Sequence, residues 1–207
     1  GWVRAVAFSP DGSCCASGHN DCSVRIWDPT TGKELRRCIK HCAAVWSVAF
    51  SPCSKQLASG SQDRTVNIWD VATGFLLRTL ASIKLGFEFP GGGFVRSVAF
   101  SPAGDVLASG GEDMLVRVWS ARTGELTNLL PGHSNAIRTV AFSLDAKLLA
   151  SGSLDKTVRL YTTASYTHVK TLDFAACVLT LAFGRPLEPF SSPITCSAMP
   201  TPEKPNR

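Results

Sequence analysis

The sequence predicts an all-β fold built from repeated four-stranded antiparallel units, and three observations predict it. An Ala-Phe pair recurs at Phe8, Phe50, Phe100, Phe142 and Phe183, at intervals of 42, 50, 42 and 41 residues. A second beat, Trp27, Trp69, Trp119 and Tyr161, keeps the intervals of 42, 50 and 42, so one spacer has grown by eight residues. Within each interval lie four short stretches of β-branched and aromatic residues, separated by the Pro, Gly, Asp and Ser of turns. A period of about 40–45 residues closing on Trp-Asp is the signature of a four-stranded propeller blade. Four complete blades and one extra strand, an incomplete (open) propeller, are expected.

The stretch from Ala44 to Leu80 shows each element in turn. Val45 to Phe50 carries Val45, Val48 and Phe50 beside small residues, as a closely packed inner strand a requires. Ser51-Pro52 ends it, because proline lacks a ladder donor, and Gln56 to Ser59 resumes as strand b. After a turn over Gly60 to Arg64, Thr65 to Trp69 alternates Val66 and Ile68 against Asn67, a half-buried strand c. Asp70 to Gly74 has turn chemistry, and Phe75 to Leu80 is strand d. The copies divide the segment 1–183 at about 2–41, 42–91, 92–133, 134–173 and a partial 174–183. Residues 184–207 hold Pro and Ser without periodicity and are expected to be a disordered tail. Ser192-Pro193 and Thr201-Pro202 suit a proline-directed kinase only as common dipeptides do.

The recurring strings are VAFSPDG at 6–12, LASGSQD at 57–63, VRIWD at 24–28 and PGHS at 131–134. With these the chain resembles the WD-repeat β-propeller family over residues 2 to about 183. The resemblance implies a side-chain hydrogen-bond relay of His, Ser, Asp and Trp that ties the loop before strand a to strands b and c. Copy two has all four, His41, Ser59, Asp63 and Trp69. Copy one has Ser17, Asp21 and Trp27 without a loop histidine. Copy three has Ser109, Asp113 and Trp119 but Gly91 at the histidine position, which breaks its relay. Copy four has His133, Ser151 and Asp155, with Tyr161 in the tryptophan slot. Blade two should therefore be held best, and Asp63→Ala should cost more stability than Asp113→Ala. Tyr166 stands where the other copies have Gly32, Gly74 and Gly124, so either it is strained or the turn differs.

The resemblance also implies a binding face. The residue four before each Phe opens onto the mouth of the central channel, on the side of the d-to-a and b-to-c loops. Arg4, Trp46, Arg96 and Arg138 fill that position, followed by Leu179 in the fifth copy. The rim residues Asn20, Gln62, Glu112 and Leu154 precede the loop aspartates. Three arginines and a tryptophan near one axis would suit an acidic or phosphorylated peptide. Solvated strand ends whose like charges repel are the alternative.

Composition bounds the rest. At 207 residues and 44% hydrophobic the chain can bury a sizeable core, and it has neither an apolar run of bilayer length nor a charged-then-apolar leader, so it reads as soluble. The first residue is Gly1, and Trp2 falls where a strand a already begins. A fragment of a longer propeller is expected, with open blade edges that favour self-association. Eight cysteines without a C-x-x-C pair or Cys/His ligand spacing read as free thiols, implying no metal and a reducing, cytoplasmic setting, with the nucleus left open. A net charge of +5 with dispersed basic residues permits nucleic acid without indicating it.

His41, Ser59 and Asp63 are also the residue types of a hydrolase triad. The set recurs in register, as scaffolding does, and no G-x-S-x-G turn accompanies it. Gly91-Gly92-Gly93 lacks the Lys-Ser/Thr of a phosphate loop. No catalytic residue and no cofactor are assigned. The reading is a non-catalytic protein–protein interaction scaffold. A nucleic-acid-binding module and a propeller fragment without autonomous function are the alternatives.

Overall fold

In the computed structural model, which describes residues 1–81 and 93–183, sixteen strands form four four-stranded sheets. Blade 1 contains β1 (Val3–Phe8), β2 (Cys15–His19), β3 (Ser23–Trp27) and β4 (Glu34–Ile39). Blade 2 contains β5 (Val45–Phe50), β6 (Gln56–Ser61), β7 (Thr65–Asp70) and β8 (Leu76–Ala81). β9 (Val95–Phe100), β10 (Val106–Gly111), β11 (Val116–Ser120) and β12 (Leu126–Leu130) make blade 3. Blade 4 is β13 (Ile137–Phe142), β14 (Leu148–Ser153), β15 (Thr157–Thr162) and β16 (His168–Asp173). Every neighbouring pair within a sheet is antiparallel and in chain order. No helix occurs among the described residues, and none could cross a membrane as a helix. Residues Gly91 and Gly92 and the tail 184–207, with Ser192-Pro193 and Thr201-Pro202, lie outside the described residues.

The turns are set by short polar side chains. In the c–d turn of blade 1 the Asp28 carboxylate accepts from the Thr30 backbone N–H and hydroxyl at 2.8 and 2.6 Å, and Gly32 takes φ +68°. Tyr166 adopts φ +53° in the same slot of blade 4, so the turn is kept and the strain of a left-handed tyrosine is accepted. Packing offsets it, because the Tyr166 ring lies against the core between blades 3 and 4.

The inner strands β5, β9 and β13 each lie on the blade before them. Val45, Val48, Phe50, Leu57 and Trp69 of blade 2 pack on Ala16, Val24, Ile26 and Cys38 of blade 1. Equivalent clusters join blade 2 to blade 3 and blade 3 to blade 4. Side-chain hydroxyls pin adjacent inner strands, since the Val98 N–H donates to Ser47 Oγ and the Val140 N–H to Ser97 Oγ, both at 3.1 Å. The four blades do not close a ring. On blade 1, Val6 and Phe8 hold the slots of buried Val48 and Phe50 yet are 72% and 70% exposed, so they cover no neighbouring blade.

One expectation is corrected. Residues 178–183 form no strand. They lie on blade 4 as an irregular strap, anchored by the Val178 N–H on the Ser153 carbonyl at 3.0 Å and by contacts of Val178 and Leu181 at Gly152. A lone inner strand without a strand b has no ladder to join.

Candidate functional site

Two sets of side chains sit at the end of the blades that carries the b–c turns. The first ties each blade together. In blade 2 the Trp69 indole N–H donates to Ser59 Oγ at 2.8 Å, and Ser59 Oγ lies 2.7 Å from His41 Nε2. His41 Nδ1 is 2.7 Å from Asp63 Oδ2, which also accepts from the Cys42 N–H at 3.0 Å. The donors run one way, from indole through hydroxyl and imidazole to carboxylate. In blade 4 the same path joins His133, Ser151 and Asp155 at 2.7 and 2.8 Å. There it stops at Ser151: Tyr161 is buried, and its hydroxyl has no hydrogen-bond partner among the described residues.

Blades 1 and 3 use substitutes that the sequence analysis did not single out. In blade 1, Trp27 donates to Ser17 Oγ at 2.7 Å, and His19, on the same strand, places Nε2 2.7 Å from that oxygen. His19 thus gives Ser17, from strand b two residues along and on the same face, the imidazole contact that His41 gives Ser59. Asp21 turns instead to Arg25 at 2.6 Å. In blade 3, Trp119 donates to Ser109 at 2.8 Å, while Asp113 pairs with Arg117 at 2.5 Å, their side chains 4% and 11% exposed. Asp113 is therefore a buried counter-ion, so its removal is expected to be costly, contrary to the order the sequence suggests. The arginine partners stand four residues after the loop aspartate, as Asp21–Arg25 and Asp113–Arg117, but Asp155–Arg159 has the same spacing beside His133, so spacing alone does not single them out.

These contacts set acid sensitivity. Burial alone would raise the Asp63 and Asp155 carboxyls, but hydrogen bonds from His41 and Thr65, and from Thr157 and His133, outweigh it and hold both well below the usual range. Burial pushes His133 down, against the opposing pull of Asp155. A depressed folded pKa means that the unfolded chain takes the proton first, so stability falls as pH drops below the unfolded value. The urea midpoint should decline below about pH 6.5 through His133 and again below about pH 4 through the two aspartates. A midpoint level from pH 7 to pH 3 would contradict this assignment.

The second set is a ladder across blades. Every inner strand carries a register break at its start, between Val3 and Ala5, Val45 and Ser47, Val95 and Ser97, and Ile137 and Thr139. The extra residue in each is Arg4, Trp46, Arg96 or Arg138. A bulge re-aims the side chain it carries, and the recurrence of this one directs four side chains to one region. The Arg4 and Arg96 guanidinium carbons lie 4.4 and 3.9 Å from the centre of the Trp46 ring, so the indole is flanked by two cations. Arg96 Nε donates to Glu112 Oε1 at 2.6 Å, and Arg138 Nη1 is 4.0 Å from the same oxygen. Asn20 Oδ1 accepts from Arg4 at 3.2 Å. Gln62 and Leu154 stand on the corresponding turns, half-buried, and are not among the side-chain contacts of this ladder. Among the described residues, no group of three or more His, Cys, Asp or Glu could hold a metal.

Repeated blades with a Trp–Ser or His–Ser–Asp tie in each blade and a bulge at the start of each inner strand define a repeat propeller architecture. The chain belongs to the WD domain, G-beta repeat family, which matches residues 1–28, 32–70, 83–120 and 124–162. Among curated relatives, the small ribosomal subunit protein RACK1y of Oryza sativa subsp. japonica is 60% identical over 35 residues, 17% of this chain and 10% of that protein. RACK1z of Arabidopsis thaliana is 57% identical over 35 residues, 17% and 11% of the two chains. An uncharacterized WD repeat-containing protein, alr3466, of Nostoc sp. is 51% identical over 41 residues, 20% of this chain and 3% of that one. The chain thus matches about a tenth or less of the length of these relatives.

Proposed function

We propose that this chain is a non-catalytic protein–protein interaction scaffold whose ladder of Arg4, Trp46, Arg96 and Arg138 captures acidic or phosphorylated peptides. The observation that carries this reading is the stacking of two guanidinium groups on Trp46 with a third arginine beside them. Stacking holds each fork in place before a ligand arrives, so less side-chain entropy is lost on binding. Repulsion between the cations is relieved by the ring faces, by Asn20 and by Glu112, which supports this reading over repelling strand ends. Recurrence of the relay in register supports scaffolding over catalysis. The seven described cysteines, none in a disulfide, support a reducing, cytoplasmic setting.

The test is capture of a labelled acidic peptide by wild type and by the double variant Arg96→Glu with Arg138→Glu. Reversing two charges is expected to weaken capture by about a hundredfold or more while the β circular-dichroism spectrum is unchanged. Unchanged capture by the folded variant would place the ligand elsewhere. A steep, sequence-independent loss of binding with salt would identify a nucleic-acid backbone as the ligand.

A further inference from the structure

Glu112 occupies the place an acidic ligand would need. Its Oε1 accepts from Arg96 Nε, lies in ion-pair contact with Arg96 Nη2 and faces Arg138, while Arg96 is held flat on Trp46. One carboxylate oxygen serves two guanidinium groups here. Arg138 Nε is buried without a hydrogen-bond partner among the described residues, as is the Trp46 indole N–H. Two donors of the ladder are thus left without an acceptor among the described residues. The side chains of Glu112 and Arg138 remain 27% and 29% exposed, so a group arriving from solvent can reach the pair.

From this geometry we infer that Glu112 is a resident competitor for the seat between Arg96 and Arg138, and that the seat it vacates suits a phosphorylated residue better than a single carboxylate. The inference rests on the reading of the ladder as an anion-binding surface. A tethered carboxylate competes at the high effective concentration of an intramolecular group. A carboxylate from outside brings the same charge and the same two oxygens, so the exchange gains little and loses the tether. A phosphoserine or phosphothreonine brings about −1.5 to −2 charges and three acceptor oxygens. It can bridge both forks and supply the acceptors that Glu112 lacks. Glu112 then swings into solvent on its b–c turn.

Three versions of one fluorescein-labelled peptide test this, identical except for a central phosphoserine, glutamate or serine, with binding read by fluorescence anisotropy on the full chain. Wild type is expected to bind the phosphoserine form at least about tenfold more tightly than the glutamate form, given the extra charge and oxygens. Glu112→Gln is expected to tighten the phosphoserine and glutamate forms by a similar factor, about five- to tenfold, since removing a competitor is indifferent to what replaces it. E125Q, at the opposite end of β11, removes the same charge and should leave both affinities unchanged. Weaker or unchanged phosphopeptide binding in Glu112→Gln, or equal tightening in E125Q, would overturn the inference. Both outcomes are distinct from failure of the ladder itself, which would appear as undiminished binding in Arg96→Glu with Arg138→Glu.

Discussion

Asp113→Ala should lower stability by about 3–5 kcal/mol, the cost of stripping one partner from a buried ion pair. For a chain of this size that is a fall in Tm of roughly 6–20 °C. The physical reason is what stays behind: Arg117 would keep its charge in a site where its side chain is only 11% exposed and its Nε already lacks a hydrogen-bond partner among the described residues. Asp63→Ala removes a carboxylate that accepts from His41, Cys42 and Thr65, yet it leaves behind groups that can be neutral. Asp113→Ala is therefore expected to cost at least as much as Asp63→Ala, the reverse of the order the sequence alone suggests. Thermal melts of the two variants and of Asp113→Ala combined with Arg117→Met decide it. The combined variant should recover most of the loss, because replacing both members of a buried pair by apolar groups is often close to neutral. If Asp113→Ala melts less than half as far below wild type as Asp63→Ala does, Arg117 has found another partner and the assignment fails.

That reversal shows where the sequence stops being legible. Strand boundaries could be read because hydrophobic spacing and turn residues repeat with the blade: Val45 to Phe50 is both the predicted strand a and the observed β5. The relay residues of blade 2 could be placed because each has its own slot in the repeat. Substitutes are harder to see, because they come from slots the pattern does not reserve. His19 stands where the other blades have Ser61, Gly111 and Ser153, and nothing in its type reveals that its ring turns back on Ser17. Arg117 reads as an ordinary strand c residue until its pairing with Asp113 is known, and Arg159 holds the same slot in blade 4, where His133 is present. Position four before Phe could be read in the sequence, but not the contacts of Glu112 with Arg96 and Arg138, because these depend on a side-chain path between two blades. The general lesson is physical: periodicity encodes backbone register, whereas an ion pair can be closed by any side chain long enough to reach.

Gly110→Val should cost about 3 kcal/mol, at the upper end of what overpacking a filled interior costs. Glycine recurs at this place in strand b as Gly18, Gly60, Gly110 and Gly152, and in none of the four does the backbone adopt a positive φ. The requirement is therefore space, not conformation. A Cβ on Gly110 would lie 2.6 Å from Ile137 Cγ2 and 3.1 Å from Val140 Cγ1, on the inner strand of the next blade. Ile137 is fully buried and fixed in the cluster that joins blades 3 and 4, so it cannot withdraw without parting them. Gly152→Val makes an internal comparison. A Cβ there would lie 2.5 Å from Val178 Cγ1 and 2.9 Å from Thr139 Cγ2 of β13; Thr139 is fixed in its strand, but Val178 belongs to the irregular strap 178–183, which has no strand pairing to lose and can shift. The loss at Gly152 should therefore be smaller than that at Gly110 in urea denaturation followed by circular dichroism. Equal losses at the two sites would mean that the strap is held as firmly as a blade, and that inter-blade packing is not what glycine protects.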